Sequence, residues 1–233
     1  MFRFLILFSL PLSAFQYAHF TLEGPQSVHL LLLEGGERLS IAVAEGRAPV
    51  SALAAEALAG VNGGFFKEDG SPAGGLKREG EWIALPHLPR GAVGWEGERI
   101  HFAPGLPTEI WSLYPNVLQG TPLLIREGQP IWDYTGEAIT NPTFISGRHA
   151  RTAIGELWDG TRLLLVVDGS QPGFSEGLTL KELTLLLLDL GCRNALNLDG
   201  GSSSTLVIRG QVVNQPCTLF SWEKPVGDAL LVR

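Results

Sequence analysis

Leu163-Leu164-Leu165-Val166-Val167-Asp168-Gly169, then Thr179-Leu180-Lys181-Glu182, then Ala195-Leu196-Asn197-Leu198-Asp199-Gly200-Gly201 form the stretch that decides the fold. Residues 163–167 are an unbroken aliphatic run of strand length. Thr179 and Glu182 match the S/T-x-x-E capping box, and Gly191 stands where a glycine ends a helix, so the spacing predicts a helix over 179–190. Residues 195–198 make a second short strand. Strand, helix and strand together predict a βαβ unit over about 163–198. Such a crossover makes its two strands parallel and puts both C-terminal ends on one edge of the sheet. Asp168 and Asp199 each follow the last apolar residue of a strand, so both are expected at one crevice, where open α/β sheets bind ligands. Adjacent strands would set them about 4.8 Å apart, and one strand between would double that. Both spacings lie near the range in which two carboxyl groups share a glycosidic bond.

Outward from this unit the pattern turns to strands. Residues 28–33 and 39–44 read as strands around the turn Glu34-Gly35-Gly36. Ser51 is a good N-cap for a short helix over 51–58, stopped by Gly60. The middle, about 74–142, is rich in Gly, Pro and Trp and predicts hairpins and surface loops. Arg209-Gly210 is the turn of a further hairpin, and 228–232 a final strand. With no internal repeat or low-complexity linker, the patterns predict an α+β fold: a single domain with a large curved mixed β-sheet, few helices and one βαβ unit.

Composition agrees with that architecture. The 233 residues are 45% hydrophobic, enough for a full core in one domain. Their 29 glycines and 15 prolines suit short strands joined by turns better than a helical bundle. The net charge of -7 means that an anionic ligand must be held by local arginines and backbone amides against the overall field. No basic stripe supplies phosphate contacts, which argues against nucleic acid as the main partner. Cys192 and Cys217 fit no CxxC metal pattern. Two small buried hydrophobes is the simplest account of them, and a disulfide stays open. At the N-terminus, Arg3 and the apolar stretch 4–12, followed by Ser13 and Ala14, have the layout of an export signal. The stretch is too short for a membrane span, which takes roughly 20 residues. A buried first strand is the competing account. The expected organisation is a signal over 1–18 and one domain over 19–233, with a secreted, periplasmic or extracellular location.

Five segments in order carry a resemblance: Asn62-Gly63-Gly64-Phe65-Phe66, Arg151-Thr152-Ala153-Ile154-Gly155, Val167-Asp168-Gly169, residues 195–205, and the tail that holds Val212-Val213-Asn214-Gln215-Pro216 and Asp228-Ala229-Leu230-Leu231-Val232. Together they resemble the phosphodiester glycosidases, a family that includes the lysosomal uncovering enzyme. The likeness covers nearly the whole chain after residue 18. It departs at Ser202, where the family usually has glycine, and at Ala150, where proline often stands. The resemblance implies hydrolysis of a sugar-1-phosphodiester, with an α-linked N-acetylglucosamine, and a carbohydrate or cell-envelope polymer as partner.

The residues and the resemblance together suggest the roles. Glycoside hydrolysis needs one group on the leaving oxygen and another at the anomeric carbon, which Asp168 and Asp199 would supply. An Asp-Gly pair is also an ordinary turn former, but two at matching strand ends point to function. Glu182 is a secondary acid whose capping role already suffices. Arg151, on an alternating segment, is the candidate clamp for the phosphodiester, since guanidinium geometry suits it. His149 is a lone histidine with an orienting role at most. Asn62, Gly63 and Gly64 would form a pocket wall where backbone lies close to substrate, and Gly200 and Gly201 an anion nest of consecutive amides. Ser203, Ser204 and Thr205 offer hydroxyls. Phe65 and Phe66 read as core. No cofactor is required by the pattern; a divalent cation is compatible with it. Two rival functions are a metal-dependent phosphodiesterase with Asp168 and Asp199 as cation ligands, and a non-catalytic polysaccharide-binding protein.

Overall fold

The structure is a computed structural model that describes residues 5–12, 15–218, 220 and 222–233. Arg3, Phe4, Ser13 and Ala14, on which the export-signal expectation rests, lie outside these. The chain begins with β1 (Leu5–Leu12), β2 (Phe15–Leu22), β3 (Gln26–Leu33) and β4 (Leu39–Ala48), then the short helix α1 (Val50–Leu53) and β5 (Ala59–Asn62). β6 (Leu76–Arg78), β7 (Glu81–Ala84), β8 (Gly91–Glu96), β9 (Arg99–Pro104) and β10 (Asn116–Gln119) follow. A hairpin of β11 (Leu123–Arg126) and β12 (Gln129–Pro130) leads to α2 (Pro142–Ser146). The remainder is β13 (Arg151–Leu157), β14 (Arg162–Val167), α3 (Leu180–Asp189), β15 (Cys192–Asn197), β16 (Leu206–Ile208), β17 (Gln211–Val212) and β18 (Val226–Val232).

The strands form three sheets. The largest has the order β1-β2-β3-β14-β13-β15-β11-β12, and two five-stranded sheets have the orders β7-β6-β10-β8-β9 and β17-β16-β5-β18-β4. Strand pairing is antiparallel throughout the described residues, rather than mixed. The βαβ unit is nevertheless present. β14 and β15 each pair antiparallel with β13, so they run parallel to one another with one strand between, and α3 is the crossover. Their C-terminal ends share one rim, roughly 10 Å apart by strand spacing.

The unbroken aliphatic run arises because both faces of β14 are covered, the condition under which strands lose polar alternation. Leu163, Leu165 and Val167 face α3 and pack with its Leu180, Leu183, Leu186 and Leu187. Leu164 and Val166 face the other way, into the main core with Ile154, Leu196, Leu230 and Trp95. The capping box of α3 forms as expected: Thr179 accepts from the Glu182 amide, and the Glu182 carboxylate accepts from the Thr179 amide. Gly191, at φ +88°, sits in the left-handed region where a side chain is strained.

Other expectations shift. The first helix is a single turn, Val50–Leu53, capped by Pro49 with no side-chain bond, rather than a run over 51–58 begun by Ser51. The middle of the chain is more ordered than its Gly and Pro content predicts. β6 to β10 make a full sheet, held by a second small core of Trp111, Tyr114 and Val117. Phe15 of β2 lies in the main core at 3% exposure.

Candidate active site

The rim at the ends of β14 and β15 opens on a cavity of about 220 Å³, lined by Asp199, Gly200, Gly201, Arg151, His149, Asn141, Thr143, Phe144 and Phe65. Asp199 stands half-buried at its edge. Its backbone is locked from both sides: the amide donates to Gly63 O at 3.2 Å, and the carbonyl accepts from Asn62 Nδ2 at 2.6 Å. Its Oδ1 accepts from the Gly200 amide at 2.9 Å. Burial raises the Asp199 pKa, countered in part by the Ser203 hydroxyl, the Lys224 charge and the Gly200 amide. Lys224 Nζ in turn donates to Ser203 Oγ at 3.3 Å.

Arg151 forms part of the cavity wall. Its residue is buried to 1% exposure, and it donates from Nε to Leu178 O and from Nη2 to Phe144 O and Gly147 O. The Phe144 ring lies 5.2 Å from its guanidinium carbon. No carboxylate oxygen among the described residues comes within 4.0 Å of it. Burial pushes the Arg151 pKa down to about 10, which leaves it a cation at neutral pH. Arg151 is thus a buried, hydrogen-bonded cation beside a cavity, with no carboxylate partner among the described residues.

Asp168 reaches the same rim but not the cavity. Its side chain has 0% exposure, and it lines neither this cavity nor the neighbouring one. His29 Nε2 of β3 meets Oδ2 at 3.1 Å, while Asn214 Nδ2 and the Gln215 amide donate to Oδ1 at 3.0 and 2.9 Å. Tyr17, Ser27 and the stacked His19 ring extend this network behind His29. Asp168 is thus a buried, fully hydrogen-bonded carboxylate that ties β3, β14 and the 214–215 segment together. The expected pairing of Asp168 with Asp199 across a substrate is not what the rim presents.

A second carboxyl group that feels the Asp199 charge is Asp228, in β18. Asp228 is 1% exposed; Oδ1 accepts from the Gly64 amide at 2.8 Å, and Oδ2 is buried without a partner. Burial raises its pKa to about 7, against the Gly64 amide, and the Asp199 charge raises it further. A lone acid inside the otherwise apolar segment Val226–Val232 was the sequence signal for this residue, since an unpaired Asp is almost never fully buried. Gly63 is required for it: a Cβ there would stand 1.9 Å from Asp228 Oδ1.

The other expected site residues divide in the same way. Asn62 is buried and consumed internally, accepting from the Thr152 hydroxyl and the Thr205 amide while holding Asp199. Gly63 and Gly64 support Asp228 and do not wall the cavity. The expected anion nest does not form, because the Gly201 amide donates to Ala150 O and the Gly200 amide to Asp199 itself. A side chain at 200 would also meet Ala150 O at 2.8 Å, so this glycine serves close backbone packing. Ser203 bonds Asp199, Ser204 bonds Thr152, and Thr205 is buried; none of the three lines the cavity. Glu182 is taken up by its cap and an ion pair with Arg148. Phe65, expected in the core, is half-buried and forms the cavity wall, edge-to-face with Phe144 at 6.0 Å. His149 lines the cavity and its Nε2 contacts Thr143 O at 3.0 Å. Cys192 and Cys217 are both free thiols. Among the described residues no group of three or more His, Cys, Asp or Glu is placed to hold a metal ion. No helix among them is long and apolar enough to cross a membrane.

Comparison with known proteins identifies the family. The chain is similar to the N-acetylglucosamine-1-phosphodiester alpha-N-acetylglucosaminidases of mouse, 35% identical over 107 residues, and of human, 28% identical over 204 residues. These matches take in 44% and 75% of this chain but only 20% and 37% of the relatives, so the chain spans well under half their length. In fold it is similar to the catalytic domain of the zebrafish protein of that name, a structure auto-inhibited by its pro-peptide. The TM-score is 0.78 at 19% identity, covering 100% of this chain and 83% of that one. A hypothetical protein from Synechocystis has a TM-score of 0.80 at 20% identity, over 94% of this chain and 61% of the other. The phosphodiester glycosidase family matches residues 55–233, the stretch that carries Asp199, Arg151 and Asp228, and the chain belongs to that family.

Proposed function

We propose that the chain hydrolyses the bond between the anomeric carbon of a sugar and a phosphodiester oxygen, with α-linked N-acetylglucosamine as the sugar. One observation carries this: the unpaired guanidinium of Arg151 and the carboxyl group of Asp199 face the same cavity. Arg151 holds the phosphate. As the C1–O bond breaks, the phosphate departs as a monoester and gains a second negative charge, which the fixed cation stabilises. A phosphomonoester has a second pKa of about 6, so it leaves without the protonation that an ordinary sugar alcohol needs. One cavity-facing carboxyl group therefore suffices where most glycosidases use two. Asp199 serves the anomeric carbon, and its raised pKa brings it nearer the working range of a general base.

The test is purified protein with a synthetic N-acetylglucosamine-1-phosphodiester. Free N-acetylglucosamine and a phosphomonoester are the expected products. Release of sugar-1-phosphate would instead identify a phosphodiesterase, and no turnover by folded protein across a panel of sugars would overturn the proposal. Proton magnetic resonance of the fresh product, read for its anomeric form, distinguishes Asp199 acting as base from Asp199 acting as nucleophile. We propose also that the protein is exported, on the strength of Arg3 and the apolar stretch behind it. Cell fractionation with N-terminal sequencing tests this. Cleavage after residue 18 would strip half of β2 and the core residue Phe15, so a mature start at or before Phe15 is expected.

A further inference from the structure

A second cavity of about 190 Å³ adjoins the first, sharing Phe65, Asn141 and Phe144 with it and adding Arg90, Thr121 and Thr140. The two meet at the edge-to-face pair Phe65–Phe144, and each ring carries an arginine: Arg90 lies 5.5 Å over Phe65, and Arg151 lies 5.2 Å over Phe144. Four arginines among the described residues are not exposed, namely Arg90, Arg151, Arg162 and Arg193. Arg162 and Arg193 each have a carboxylate within 4.0 Å, from Glu37 and Glu127. Arg90 and Arg151 have none, and these two line the cleft. Withdrawing a cation from water without an ion partner is unfavourable, and an external anion would offset that cost at both.

Arg90 is held by fewer bonds than Arg151. Nη1 donates to Ala73 O at 3.2 Å, while Nε is buried without a partner. The nearest acid, Glu137, is already engaged by the Gly91 and Leu123 amides and the Thr121 hydroxyl, so it does not close an ion pair on Arg90. Burial lowers the Arg90 pKa, and Glu137 counters this at longer range.

We infer that the cleft reads two anions, and that the substrate class is a sugar-1-phosphodiester whose aglycone bears a second anionic group. This rests on the proposed function. The sugar and the scissile phosphate occupy the Asp199–Arg151 cavity. The aglycone crosses the Phe65–Phe144 rim, and its own anion meets Arg90. A polymer of phosphodiester-linked sugars carries such a second anion, and so does a conjugate with an acidic aglycone.

Two experiments on the full chain test it. The first compares kcat/KM for N-acetylglucosamine-1-phosphodiesters with alkyl aglycones ending in a hydroxyl, a carboxylate or a phosphate, and for a control bearing a phosphate on O6 of the sugar. The anionic aglycones are expected to be preferred about tenfold over the hydroxyl, a difference of about 1.4 kcal/mol. The preference should fall to near one in Arg90→Gln and be partly kept in Arg90→Lys. Because the ratio is taken within each protein, a general loss of activity cancels. A phosphate preferred over a carboxylate points to the polymer, the reverse to the acidic conjugate, and both results support the second anion. A ratio near one in the native protein, a ratio untouched by Arg90→Gln, or a preference for the O6-phosphate control overturns the inference. The second experiment needs no turnover: calorimetric binding of α,ω-alkane bisphosphates with two to six carbons, against the matching monophosphates. One chain length should bind about tenfold tighter than its monophosphate, and Arg90→Gln should abolish the gain. If that gain holds while no substrate releases sugar, the hydrolytic proposal fails and the two-anion cleft stands. No gain at any length overturns the cleft.

Discussion

At the rim where β14 and β15 end, two aspartates, each followed by glycine, stand one strand apart in opposite surroundings. Asp168 has His29 across the sheet, two donors from the 214–215 segment, and no access to solvent. Asp199 has its own Gly200 amide and the Ser203 hydroxyl, and it faces an open cavity beside an unpaired arginine. The same local sequence thus becomes a buried anchor at one strand end and a cavity-lining carboxyl group at the other. The difference comes from neighbours: β14 lies beside β3, which brings His29, whereas β15 ends against the backbone of residues 62–63.

The sharpest way to break the comparison is to neutralise each aspartate in turn. Asp199→Asn should lower kcat at least about 10³-fold, roughly 4 kcal/mol of barrier, with little change in Tm. Asp168→Asn should do the opposite. It removes a charge from a buried network and should cost about 3 kcal/mol of stability, or roughly 6–12 °C in Tm, while the folded fraction keeps kcat within about tenfold. If the two variants exchange these signatures, the roles assigned to the two strand ends are reversed. Arg151→Lys keeps the charge but loses the fixed fork, and should reduce kcat/KM about 10²-fold. Steady-state kinetics on a phosphodiester substrate would measure it.

The last effect, seen in the pH dependence of stability and not in turnover, belongs to Asp228. Its folded pKa, about 7, lies above the ordinary unfolded carboxylate value. The sign follows from proton linkage: the contribution is fully present at low pH and is lost as pH rises through about 7, by roughly 4 kcal/mol at most. Asp228→Asn should therefore flatten the fall in stability between about pH 4 and 8. Urea melts across that range would show it, and an unchanged slope would rule out Asp228 as the source.

Much of this was legible before any coordinates. The capping box and the aliphatic run fixed α3 and β14, because both are local patterns that tertiary packing reinforces. Asp199 and Arg151, expected at the site from the strand ends and the family resemblance, both line the cavity. The β6–β10 sheet was read as hairpins and loops, because strands of three to six residues among glycines and prolines carry too little periodicity. Asp168 lies off the cavity, and nothing near it in sequence announces His29 or Gln215, which bury it. Asp228 was overlooked for the matching reason: its setting depends on Gly63 and Gly64, which approach it only through the pairing of β5 with β18. The glycine amides were misassigned because a flexible backbone was taken to be a free one.

Arg151 has one more consequence, which concerns timing rather than affinity. Three carbonyl oxygens, from Leu178, Phe144 and Gly147, already hold its fork before any ligand arrives. A loose arginine surrenders up to about 2 kcal/mol of rotamer freedom when it closes on an anion, and this one has little left to surrender. Capture of phosphate should thus proceed with a small entropic penalty and without a slow adjustment of the pocket, leaving water displacement to govern the rate of entry.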